Sequence, residues 1–288
     1  MVWVNDIIQG ILLGGLYALF AAGLALVFGV MRLVNLAHGD FSIMAAYIAL
    51  VIVGSLSINP FYTLILVMIV MGIFGYAIQR GLFNFAMDAG PMQAILATFG
   101  VAIIVQNLLL EGFTANSKGL DAGRIENAFI RISDQVVIGW FPLITIIVAV
   151  AVLLGLQVFL SRTRMGRAFR ATADNQRAAQ LMGIDNRHLY GMAMALALAM
   201  VAIGGVFIGI RTTFSPSAGP LRLIFAYEAV IIGGLGSLWG TLVGGIVLGI
   251  AQVLGDHIQQ GWGMLAGHLV FLALLAFRPQ GLFAKQVQ

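Results

Sequence analysis

The feature that most limits what this chain can fold into is its succession of apolar runs, each near the length that crosses a bilayer. Residues 143–160 contain no ionisable side chain at all. Similar runs occupy residues 7–31, 61–78, 92–110, 190–210 and 239–254, with a shorter one at 264–277. About 20 apolar residues in a helix cover the hydrocarbon core. Lipid offers no partner for a backbone amide, so such spans are helices or a closed barrel. Barrel strands alternate in segments of about ten residues, whereas these runs are longer and unalternating. Composition agrees: 61% of residues are hydrophobic and 9% charged, against about 25% charged in soluble domains. The expected fold is an all-α polytopic membrane protein, one domain over residues 1–288, with about eight membrane segments. Residues 7–31 are read as an uncleaved first helix, because no basic segment precedes them and more spans follow. The chain has no cysteine, which excludes disulfide, zinc–thiolate and iron–sulfur sites.

Two long polar stretches interrupt the pattern. Residues 161–189 hold Arg162, Arg164, Arg167, Arg170, Arg177 and Arg187, six of the 15 Lys and Arg in the chain, opposed by Asp174 and Asp185. A short loop this basic is expected to face the cytoplasm. Helix formers dominate residues 167–182 and no proline intervenes. Phe169, Ala173, Ala179 and Met182 share one face at the 3.6-residue period, and Gly183 stands where a glycine ends a helix. One amphipathic surface helix over residues 167–183 is therefore expected. The other stretch, residues 112–138, balances Lys118, Arg124 and Arg131 against Asp121, Glu126 and Asp134, so it is placed outside. Both chain ends are expected on the cytoplasmic side, on the strength of Arg278 and Lys285. The net charge of +4 lies mostly in the basic loop and points to an anionic lipid surface rather than nucleic acid.

Two further elements look short or broken. Asn35-Leu-Ala-His38-Gly39-Asp40 precedes an apolar run at residues 41–53, too short to cross, with Asp40 placed as its N-cap. Residues 225–237 end in Gly233-Gly234-Leu-Gly236-Ser237. One broken element per half suggests an inverted repeat with a pathway near the midplane. The candidate pathway residues are Asn35, His38 and Asp40 on one side, and Tyr227, Glu228, Gly233, Gly234 and Ser237 on the other. A carboxylate at mid-span costs about 2.5–3.5 kcal/mol, so Glu228 either faces protein or water, or reaches the interface near Arg222. Gly10 and Gly14, and Gly240, Gly244, Gly245 and Gly249, are spaced to let neighbouring helices approach.

Enzymatic motifs are missing. Lys118 and Lys285 are the only lysines, and neither follows the glycine pattern of a phosphate-binding loop. No hydrolase or metalloprotease signature occurs. His38, His188, His257 and His268 have no metal-ligand spacing and are read as structural. Neither a metal nor a cofactor is expected on this chain.

At the basic loop the residues resemble a family. Gly166-Arg167-Ala-Phe-Arg170-Ala and Arg177-Ala178-Ala179-Gln-Leu-Met-Gly183 are similar to the cytoplasmic loop of ATP-binding-cassette importer permeases, whose motif is E-A-A-x3-G. Arg177 replaces the Glu, and the I-x-L-P that follows in the common maltose-type group is missing. Together with Asn35-Leu-Ala-His38-Gly39-Asp40-Phe41, Gly233-Gly234-Leu-Gly236-Ser237 and Arg278-Pro279-Gln-Gly281-Leu-Phe283, the resemblance covers the whole chain. It is to the branched-chain amino acid permease family, in its high-affinity H-type branch.

That resemblance implies a multi-pass protein of the bacterial inner membrane that translocates Leu, Ile or Val. It implies a related second permease subunit, two ATPases that bind the ATP and Mg, and a periplasmic amino-acid-binding protein. Gly166, Arg167, Arg170, Arg177, Ala178, Ala179 and Gly183 become the ATPase-coupling residues. The family also admits urea, amides or other amino acids as substrates. A different class, an ion-coupled secondary carrier, would use Glu228 or Asp40 as its ion-binding acid. A membrane enzyme is disfavoured because no catalytic constellation is visible.

Overall fold

The computed structural model describes residues 2–133 and 136–283. Asp134 and Lys285, both used above, lie outside the described residues. The chain opens with α1 (Val2–Met31), followed by α2 (His38–Leu56) and α3 (Pro60–Ile78). A π-helical turn, Gln79–Phe83, carries α3 into α4 (Asn84–Ala89), and α5 (Pro91–Phe113) follows. The balanced polar stretch contains α6 (Arg124–Asn127) and an antiparallel hairpin of β1 (Phe129–Ser133) and β2 (Val136–Gly139). Then come α7 (Trp140–Arg162), α8 (Arg164–Asp174), α9 (Gln176–Leu181) and α10 (Asn186–Arg211). A turn at Pro216–Ala218 leads to α11 (Gly219–Gly233), α12 (Leu238–Ile258) and α13 (Gly263–Phe277). Seven helices among the described residues are long and apolar enough to cross a membrane, and α13 is a shorter apolar helix. The all-α polytopic fold is as the sequence implies.

α1 and α10 form the centre: each is 83% buried over its most apolar window, against 22% for α3–α4 and for α7. Glycine decides how closely α1 can be approached. A Cβ on Gly10 would meet Ile250 Cα at 2.5 Å, and one on Gly245 would meet Gly14 O at 2.7 Å. The two glycine steps thus face each other across the α1–α12 contact, where small residues let backbones touch in lipid.

The contacts define two ends of the bundle. At one end Gln9 Nε2 donates to Val137 O at 2.6 Å and Val137 N donates to Asn5 Oδ1 at 3.2 Å. α7 leaves this hairpin end and delivers the chain to the basic loop at the other. The N-terminus therefore lies at the end opposite the basic loop, which corrects the expectation that both chain ends share its side. Residues 1–6 carry Asp6 and no basic residue, so the charge rule had nothing to read there. The C-terminal segment does lie at the basic end. Leu282 N donates to Ile232 O at 2.8 Å and Phe283 N donates to Gly233 O at 3.0 Å, supplying partners for carbonyls that the last turn of a helix leaves free.

Two boundaries differ from the sequence reading. α2 begins at His38 and runs 19 residues, so it is a full-length candidate span, whereas α11 is short at 15 residues. Asp40 is not its N-cap; it sits inside the first turn, and Asn35 Oδ1 accepts from Ala37 N at 3.1 Å instead. The expected single surface helix over residues 167–183 is two helices. Asn175 adopts φ −151° and ψ 102°, ending α8, and its side chain accepts from Ala178 N to start α9. An asparagine side chain competes with the helix for its own backbone amides, and here it wins.

Candidate functional site

The two elements singled out by the sequence pack against each other. α2 and α11 cross at Gly39 and Gly219, where a Cβ on Gly39 would strike Gly219 O and lie 2.8 Å from Leu223 N. Around this crossing the polar residues of the Asn35–Asp40 turn are all buried. His38 Nε2 donates to Phe20 O of α1 at 2.7 Å. Asp40 Oδ1 accepts from Gln106 Nε2 of α5 at 2.9 Å. Leu36 N donates to Thr98 Oγ1 at 3.2 Å. Tyr227 lies near the main chain of Asn35, and its hydroxyl is buried with no hydrogen-bond partner. Asn35, His38, Asp40 and Tyr227 thus come together from separate parts of the sequence. A non-helical turn of this kind survives at membrane depth because protein surrounds it on every side.

Gly233, Gly234 and Ser237 are placed elsewhere, in the α11–α12 turn at the basic end. Ser237 Oγ accepts from Gly240 N at 3.1 Å and caps α12. Gly233 lies against the main chain of Gly240, and Gly234 has φ +102°, a conformation that favours glycine. Their visible work is to close this turn and to receive the C-terminal segment.

Glu228 faces protein rather than the interface. It is 4% exposed, and its Oε1 accepts from His268 Nδ1 of α13 at 2.5 Å. Sequence reasoning missed His268 as its partner because 40 positions separate the two. The pair belongs to a larger polar junction between α1, α10, α11, α12 and α13. Tyr17 donates to Gln252 Oε1 and lies within electrostatic reach of Arg211, Arg222 and Glu228. Phe225 packs between Tyr17 and His268, with ring centroids at 5.2 and 6.1 Å. Arg211 and Arg222 were not singled out by the sequence, since each sits at a helix end where a basic residue is commonplace.

In the basic loop the motif residues divide by role. Gly166 packs against the main chain at Leu160, so that a Cβ would lie 2.5 Å from Leu160 Cα, and Arg170 donates to Leu160 O. Both fasten α8 to the end of α7. Phe169 and Ala179 are buried at 1% and 4% exposure. Gly183 has φ +85° and ends α9. Arg167, Arg177 and Ala178 are exposed, and beside them stand Leu181 and Met182, 88% and 83% exposed.

A bundle with this hydropathy and a protein-enclosed polar turn is a multi-pass helical membrane protein. A family model described as the permease component of the branched-chain amino acid transport system matches residues 7–276, and the chain belongs to that family. It is similar to the high-affinity branched-chain amino acid transport system permease protein BraD of Pseudomonas aeruginosa, at 28% identity over 98% of this chain and 96% of the relative. It is 25% identical to the permease protein LivH of Escherichia coli over 98% and 96% of the two chains. A probable branched-chain amino acid transport permease protein LivH of Methanocaldococcus jannaschii is also 25% identical, over 96% and 91%. The chain is thus a transport component and not an enzyme, and a permease component works with other subunits. No group of metal-binding side chains occurs among the described residues.

Proposed function

We propose that this chain is one translocating subunit of an ATP-driven importer of branched-chain amino acids in the bacterial inner membrane. The observation that carries the reading is the family match over nearly the whole chain, supported by relatives named for that transport. In this reading the basic loop, residues 161–189, faces the cytoplasm, because short loops rich in Arg stay inside. Residues 112–138 face the periplasm and meet the binding protein that delivers the amino acid. α8 and α9 dock on one of two ATPases that bind the ATP and Mg, and a related permease completes the membrane unit. The α2–α11 crossing, with Asn35, His38, Asp40 and Tyr227, borders the path, and its buried polar groups give the passing amino acid hydrogen-bonding partners.

The rival of another class is an ion-coupled carrier with Glu228 as its acid. The two differ in energy source. The test is leucine uptake by the reconstituted complex in sealed vesicles, with ATP inside and all ion gradients collapsed. Accumulation under those conditions is the expected result. Uptake that needs a proton gradient and ignores ATP, and that Glu228→Gln abolishes, overturns the importer reading in favour of the carrier.

A further inference from the structure

The polar junction around Tyr17 has charges that its own residues do not settle. Arg211 ends α10 and Arg222 lies in the second turn of α11; the two are close enough to repel each other. Neither forms an ion pair with an acid among the described residues. Arg222 Nη2 donates to Thr212 Oγ1 at 3.3 Å. Arg211 Nη1 and Arg222 Nε are buried with no acceptor. Burying such groups without partners is costly. Unfilled donors on two like-charged guanidiniums call for an anion with two oxygens, since guanidinium presents paired N–H groups that match a carboxylate. An amino acid carries such a carboxylate.

We propose that Arg211 and Arg222, both within reach of Tyr17, form a binding subsite for the α-carboxylate group of an amino acid. The subsite lies toward the hairpin end, since α10 ends and α11 begins there. It reads the carboxylate common to all α-amino acids, leaving the side chain to other surfaces. This inference rests on the proposed import of amino acids and adds the groups that recognise the substrate backbone.

The test uses the reconstituted importer with Thr212→Cys, a single cysteine in a naturally cysteine-free chain, placed beside Arg222. This background is first checked for ATP-driven leucine uptake. Millimolar leucine is expected to slow labelling of the cysteine by a small thiol reagent about tenfold, and leucinamide, which lacks the carboxylate, to give little protection, tenfold being about 1.4 kcal/mol. Arg211→Gln or Arg222→Gln is expected to remove the protection and to lower uptake, while the subunits still co-purify. Arg222→Lys, which keeps the charge and loses the fork, is the variant read if the glutamines fail to assemble, and it should protect weakly. Equal protection by leucine and leucinamide, or full protection in the arginine variants, overturns the subsite while leaving the importer reading intact. Absence of any ATP-driven amino-acid uptake instead removes the reading on which it rests.

Discussion

Single residues decide how closely helices approach in this bundle, and at the α1–α12 and α2–α11 contacts that residue is glycine. On α2, Gly39 faces the backbone of α11 with no room for a methyl group, whereas a Cβ on Gly54 would meet nothing within 4 Å. The same substitution should therefore have opposite signs along one helix. Gly54→Ala gains helix propensity and should stabilise by up to about 1 kcal/mol. Gly39→Ala must push backbone against backbone and should destabilise by about 1–3 kcal/mol. Thermal melts of the purified complex in detergent check both. Equal shifts in the two variants would mean that the crossing yields easily. The spacing of glycines was legible in the sequence, but their partners were not. Gly39 finds Gly219 and Glu228 finds His268 across long separations that no local period encodes.

At the scale of elements, hydropathy revealed most of the spans because lipid imposes length and polarity directly on each segment. It did not reveal where one helix yields to another. The break at Asn175 splits the surface helix, and with it the roles of the motif residues. Ala179, which matches the family motif, is buried inside the chain. Ala179→Asp should thus disturb folding of the loop itself, by placing an unpaired charge in an apolar contact. Leu181 and Met182 are the side chains free to enter a partner's groove. Leu181→Ser with Met182→Ser should leave the chain stable and in the membrane while lowering ATP-driven uptake about tenfold or more, as truncation of an interface hot spot does. The readouts are melting temperature, co-purification with the ATPases, and uptake. Normal coupling in the double variant would move the docking surface to the arginine-bearing side of α8.

For the whole molecule, the deciding feature is the order in which successive helices reverse direction. α1 starts beside the hairpin, at Asn5 and Gln9, and each long helix reverses direction in turn. α7 arrives at the basic end and α10 leaves it. α11 descends and α12 returns, its end tied to α1 by His257 and Asp6 at 2.9 Å. α13 then carries the chain back, so that Leu282 and Phe283 rest on the end of α11. Val2 and Phe283, the ends of the described residues, therefore lie at opposite ends of the bundle, with Phe283 at the basic end. Charge counting alone could not reach this, because the first residues are nearly neutral. Single cysteines at Val2, Leu181 and Gln280 give the test, since the background chain has none to interfere. In intact cells an impermeant thiol reagent should label Val2→Cys. It should label Leu181→Cys and Gln280→Cys only after the membrane is opened. Labelling of Val2→Cys and Gln280→Cys from the same side would break the helix order described here. Labelling of Leu181→Cys from outside would invert the bundle and remove the basic loop from any cytoplasmic ATPase.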